Sequence, residues 1–193
     1  MKTTIKTGIA ALMLLSAISC TKSINSPSSS FAQASNNDDQ TAAFTIGQSY
    51  HGGIIFYIDG TGQHGLIAAT TDQGTGNTWK KGPNVLTGAS ATAVGTGLSN
   101  TNKIVAAHGN SGTYAALLCA NYTSGTYVDW YLPSKDELNL MYQQKTVLGI
   151  STGDYWSSSE VSLGKAWEQE FGGGFQFKDK KTFTLHVRAI ESF

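Results

Sequence analysis

Charge is scarce in this chain: 13 Lys and Arg stand against 13 Asp and Glu in 193 residues. So even a balance makes no extended field for gripping nucleic-acid phosphates, and that class of partner is set aside. Cysteine is scarcer still, with Cys20 and Cys119 alone, which excludes a disulfide framework. The four histidines, His51, His64, His108 and His186, are scattered without metal-ligand spacing, so neither a metal nor another cofactor is expected. No glycine-rich segment joins a strand to a helix in the manner of a phosphate loop. The apolar run Ile9–Leu15 falls far short of the roughly 20 residues that cross a bilayer.

What is present begins with an address. Lys2 and Lys6 precede that apolar run, and Ser16-Ala17-Ile18-Ser19-Cys20 follows it, the order of a secretory signal. Small residues at Ala17 and Ser19 directly before Cys20 resemble a lipobox, in which cleavage leaves Cys20 as a lipidated first residue. Ordinary cleavage with an incidental Cys20 is the alternative. Thr21 adds no acidic signal for inner-membrane retention, so an outer-membrane lipid anchor is expected, facing either periplasm or cell surface. Loss of residues 1–19 would leave 11 basic and 13 acidic side chains. Residues 20–43 then read as the lipidated cysteine and a flexible tether, rich in Ser, Asn and Gln. Such a coil reaches about 25 Å.

Residues 44–193 suit one domain with its own core. Abundant glycine, 22 residues in all, favours short strands and ordered loops. Gly53–Ile58 and Gly65–Thr70 flank turn chemistry at 59–64 and predict a hairpin. Ser99 or Asn100 is a candidate cap for a helix bearing Ile104, Val105 and His108 and ending at Gly109. A second helix is expected over 113–121, where Cys119 is a buried structural thiol. Tyr127–Leu132 predicts a short strand stopped by Pro133. Ser134 and Glu137 match a capping box, with Leu138, Met141 and Tyr142 inward on the helix that follows to Lys145. Strands are expected at 155–158, 166–171, 175–177 and 183–190, with Lys178–Lys181 as a turn tip. The whole predicts an α+β fold, helices preceding a mainly antiparallel sheet.

Six segments of this half also carry a resemblance: Asn100-Thr101, Tyr114-Ala115-Ala116, Trp130–Leu138, Tyr155–Ser158, Ala166–Phe171 and Val187-Arg188. Their order is similar to that of the Lcl C-terminal domain family, named for the terminal domain of a bacterial collagen-like adhesin. The resemblance implies a divergent C-type-lectin-like fold and extracellular binding, with sulfated glycans as one ligand class. The Glu-Pro-Asn-type and Trp-Asn-Asp steps of calcium-dependent lectins do not occur here, nor do the cysteines on which formylglycine-generating chemistry depends.

Binding is therefore expected at residues 165–182, with Trp167, Glu168, Gln169, Gln176, Lys178, Asp179, Lys180 and Lys181 as candidate contacts. Trp167 is either a stacking platform for sugar rings or core, whereas Trp130 and Trp156 read as core. Three lysines at a tip either hold a sulfate or carboxylate or form a solvated turn. Arg188, among apolar neighbours, reads as a buried-pair or carbonyl-clamping arginine. Glu168 and Glu170 share one strand face and can mimic a glycosidase pair, but surface carboxylates are the plainer reading. The expected function is non-enzymatic: a lipid-anchored, adhesin-like module for glycan or protein ligands. A structural subunit of an outer-membrane complex is the second reading, and a carbohydrate-active enzyme using Glu168 and Glu170 the third.

Overall fold

The computed structural model describes residues 43–193. The signal segment, Cys20 and nearly all of the tether lie outside the described residues. Residues 43–193 form one compact unit that contains both hydrophobic clusters and every element named below.

The expected hairpin is present as β2 (Gly53–Ile58) and β3 (Gly65–Ala69), paired antiparallel. Its turn closes locally. The Asp59 carboxylate accepts from Thr61 N at 3.0 Å and Thr61 Oγ1 at 2.6 Å, and Gly62 sits at φ 73°, which favours glycine. β1 (Ser49–Tyr50) pairs with β2, and β9 (Ile190–Ser192) pairs with β3, so the first sheet runs β1-β2-β3-β9. The second sheet contains β4 (Gly74–Asn77), β5 (Asp154–Ser162), β6 (Lys165–Glu170), β7 (Gln176–Lys180) and β8 (Leu185–Val187), in the order β4-β8-β5-β6-β7. The α+β architecture is as expected and its pairing is mainly antiparallel. Tyr155 and His186 make a parallel contact between β5 and β8. The strands divide between two sheets where one was expected.

The reason lies in residues 185–192, which read as a single closing strand. They serve both sheets and cross between them at Arg188-Ala189. Arg188 pins the crossing, donating from Nε to Asp72 Oδ1 at 2.6 Å and from Nη1 to Ala69 O at 2.9 Å. Asp72 Oδ2 also accepts from Tyr155 OH at 3.0 Å and lies 3.0 Å from His186 Nδ1. Arg188 thus clamps a carbonyl and forms a buried pair at once. Asp72→Ala is expected to lower stability by about 2–3 kcal/mol, because the guanidinium keeps one carbonyl but loses its counter-charge. A urea midpoint equal to wild type would refute this.

Three helices stand between β4 and β5: α1 (Gly97–His108), α2 (Ala115–Ala120) and α3 (Lys135–Gln143). α1 begins two residues before Ser99, and neither expected cap serves. Asn100 is buried, its amide donating to Ala91 O at 2.6 Å. Position 97 takes glycine because a Cβ there would meet Tyr131 Cε2 at 2.7 Å and Leu132 O at 2.9 Å. α2 is shorter than expected, and Cys119 is fully buried on it; burial pushes its thiol well up, which keeps it inert. The capping box of α3 is complete: Ser134 Oγ accepts from Glu137 N at 3.3 Å, and Glu137 Oε2 from Ser134 N at 2.7 Å. Glu137 is itself buried, and its Oε1 accepts from Gly95 N at 2.8 Å, tying the preceding loop to the helix. Burial, the largest influence, raises its carboxyl above the usual range.

Tyr127–Leu132 is not a strand; isolated bridges Ser124–Tyr127 and Tyr131–Ile190 mark it instead. Trp130, Tyr131 and Leu132 are buried in succession, which no half-buried strand permits. Their amides find partners in two different elements. Tyr131 N donates to Ile190 O at 2.8 Å and Leu132 N to Thr101 Oγ1 at 3.0 Å.

One core cluster gathers Trp79, Trp130, Trp156, Ile104 and Leu132; the other gathers Phe56, Tyr131, Leu138, Met141 and Phe171. Each such side chain contributes about 1.5–3 kcal/mol on burial. Trp130 and Trp156 are core, as expected. The indole N–H groups are satisfied, Trp156 by Asn77 O and Trp79 by Ser157 O, each at 2.8 Å.

Candidate functional site on the hairpin of β6 and β7

β6 and β7 pair antiparallel, in the register Lys165–Lys180, Trp167–Lys178, Glu168–Phe177 and Gln169–Gln176. Directly opposed residues share a face, and successive residues alternate faces. The hairpin therefore sorts its charges. One face carries Lys165, Trp167, Lys178 and Lys180; the other carries Glu168, Glu170, Asp179 and, from β5, Asp154 opposite Glu170. β7 is also an edge of its sheet, and the exposed Lys178 and Lys180 discourage edge-to-edge pairing with another strand.

On the lysine face the Trp167 ring is half-buried, with Lys178 Nζ 4.9 Å and Lys135 Nζ 5.2 Å from its centroid. Lys135 enters from the first turn of α3, which Gln176 holds in place by donating from Nε2 to Lys135 O at 3.0 Å. Both ammonium groups lie over the ring within cation–π range, and that of Lys135 also pairs with Asp136 Oδ1 at 3.2 Å. Gln169 lies on this face but is buried, its Nε2 donating to Gly174 O at 2.7 Å.

On the carboxylate face Glu168 is 3% exposed, and its Oε2 has no hydrogen-bond partner. Burial first, then the neighbouring carboxylates of Asp154, Asp179 and Glu170, push its pKa up to about 8. Asp154 is raised as well, by burial and then by Glu170 and Asp179. Glu170 turns away to its own loop, accepting from Gly173 N at 2.6 Å. The expected pair of surface carboxylates is thus one buried acid and one loop clasp. Phe175 and Phe177, at 65% and 49% exposed, stand on the same face as Glu168.

Lys181 departs furthest from expectation. Lys178, Asp179 and Lys180 continue β7; Lys181 opens the turn that Phe183 N closes on Lys180 O at 2.8 Å, yet it is fully buried. Its ammonium lies 4.4 Å from the Trp79 ring centroid and pairs with Glu160. Glu160 also accepts from Thr87 N and Gly88 N, each at 3.0 Å. Burial works to raise the Glu160 carboxyl, but Lys181 and these amides outweigh it, and the net direction is down. Lys181 therefore leaves the lysine set around Trp167, which gains the half-buried Lys135 and the exposed Lys165. Lys165 was within reach of the pairing register; Lys135 was not, because α3 brings it from 32 residues before Trp167.

Among the described residues, no three His, Cys, Asp or Glu side chains are placed to hold a metal ion, and no helix is long and apolar enough to cross a membrane.

The family model for the Lcl C-terminal domain matches residues 68–191. The chain belongs to the Lcl C-terminal domain family. The match spans β3 to β9 and so includes the whole β6–β7 hairpin and its support on α3. Membership in the Lcl C-terminal domain family fits an adhesin-like surface domain. No curated protein sequence matches the chain.

Proposed function

We propose that this protein is a lipid-anchored cell-envelope module that binds anionic glycans without turning them over, through the lysine face of the β6–β7 hairpin. The observation that carries the reading is Trp167, half-buried and accompanied by Lys178 and Lys135, with Lys165 and Lys180 paired beside it. The ammonium groups suit a sulfate or carboxylate, and the indole beneath them adds apolar surface for the CH-rich side of a pyranose. The anchor rests on the pattern around Cys20, and an outer-membrane location follows from it. Absence of turnover is supported by the burial of Glu168 and the loop bonds of Glu170, which leave no matched acid and nucleophile.

A glycan array with residues 43–193 tests the reading. Sulfated or carboxylated glycans should bind, more weakly as salt rises, because exposed charges are screened over about 8–10 Å. Trp167→Ala should weaken binding at least about tenfold, the equivalent of 1.4 kcal/mol. Binding unchanged in this variant, or none across the array, would refute the site. A structural role in an envelope complex is favoured by a different feature, the exposed Phe175 and Phe177, and co-purification from membranes that depends on those two residues would select it.

A further inference from the structure

Lys181 gathers three loops at the end of the domain where β6 begins and β7 ends. Its Nζ donates to Val85 O at 3.3 Å and to Leu163 O at 3.2 Å. Its backbone closes the same junction, N donating to Gly164 O at 2.9 Å and O accepting from Trp79 N at 3.1 Å. Each gathered loop presents a large apolar side chain to solvent: Leu86 is 69% exposed, Leu163 51% and Phe183 45%. A solitary exposed leucine is ordinary, but three on loops drawn to one buried ammonium form a concentrated apolar tip.

Charge around this tip has one sign. Lys80 and Lys81 follow Trp79 directly, and Lys165 and Lys180 oppose one another in register. Lys103 reaches from α1 to donate to Gly88 O at 3.2 Å. The carboxylate at the junction, Glu160, is buried and engaged by Lys181 and two amides. Asp179 belongs to the opposite face of the hairpin.

We propose that this tip docks on an anionic bilayer surface, with Leu86, Leu163 and Phe183 entering the headgroup boundary and the surrounding lysines pairing with lipid phosphates. The chemistry is that of an interfacial anchor: apolar side chains supply depth, and long ammonium-tipped chains reach the phosphates beside them. The docking face shares Lys165 and Lys180 with the margin of the glycan face but is built on Leu86, Leu163 and Phe183 rather than on Trp167. It also accounts for the exposure of three large apolar side chains on these loops.

Co-sedimentation of residues 43–193 with vesicles tests it. Wild type should partition onto an equal mixture of phosphatidylglycerol and phosphatidylcholine and much less onto pure phosphatidylcholine. The triple variant Leu86→Ser, Leu163→Ser, Phe183→Ser should lose at least about tenfold in partition, the equivalent of 1.4 kcal/mol, with its unfolding midpoint unchanged. Lys80→Glu with Lys81→Glu should remove most of the preference for the anionic vesicles. If the triple variant unfolds, Leu86→Ser alone gives a smaller loss in the same direction. Trp167→Ala should partition like wild type, which separates this face from the glycan site. No partition, equal partition of wild type and triple variant, or equal binding to both vesicle types would overturn the proposal. So would a concentration-dependent dimer of wild type that the triple variant abolishes, since a second copy would then cover the tip.

Discussion

Lys181→Ala is expected to destabilise the domain by about 3–5 kcal/mol, because it strands a buried carboxylate and unpins three loops. The ammonium is fully enclosed and has no water to fall back on. It satisfies Glu160, Val85 O and Leu163 O while lying over the Trp79 ring. Removing it leaves Glu160 held by the amides of Thr87 and Gly88 alone, in a site too apolar to keep an unpaired charge. Glu160→Gln should be milder, since an amide retains one acceptor toward Lys181. The sharper control replaces both partners together, Lys181→Met with Glu160→Leu. Burying an ion pair is close to neutral once desolvation is counted, so the double variant should recover most of the loss. Urea unfolding of the three variants decides it: a Lys181→Ala loss below about 1 kcal/mol would mean that the pair is solvated like a surface salt bridge.

Stability should also fall as pH rises from about 4.5 to about 8, and Glu168→Gln should make that slope shallower. The sign follows from the direction of the shift. Glu168 titrates at about 8 in the folded chain against 4.5 for the ordinary carboxyl, so the folded state holds a proton that the unfolded state has released. Its favourable contribution is complete below pH 4.5, declines through the window and is gone above pH 8. At about 1.4 kcal/mol per pH unit the loss is at most ~5 kcal/mol, and relaxation of the hairpin will reduce it. Glutamine mimics the protonated acid and carries no charge to desolvate, so Glu168→Gln should match wild type near pH 4.5 and exceed it at pH 8. Melting temperatures across this range test the point, and parallel pH profiles for the two proteins would refute it. The same variant bears on the glycosidase reading, because hydrolysis lost on Glu168→Gln would revive it.

Much of the fold was legible from local chemistry. The β2–β3 turn closes through Asp59 and Thr61, and the α3 start through Ser134 and Glu137; in both, all partners lie within three residues of one another. Such signals survive in sequence because they do not depend on what packs nearby. The errors share the opposite cause. Asn100 looked like a helix cap, but its amide was claimed by Ala91 O across a loop. Tyr127–Leu132 looked like a strand, but its backbone partners came from α1 and β9 rather than from one neighbour. Residues 178–181 looked like a solvated tip because lysine and aspartate usually are one. The register instead placed Lys178 against Trp167, with Lys181 turned into the interior.

Sequence by itself determined the α+β class, the hairpin at β2 and β3, the capped helix before β5, the core tryptophans at 130 and 156, and the family, since each depends on neighbours along the chain or on an ordered set of short motifs. Tertiary structure alone decided that the last strand would divide between two sheets at Arg188, that Glu168 would be buried and Lys181 enclosed, and that Lys135 would come to rest beside Trp167. Those outcomes turn on which distant group supplies a counter-charge or a carbonyl, and no periodicity records that choice.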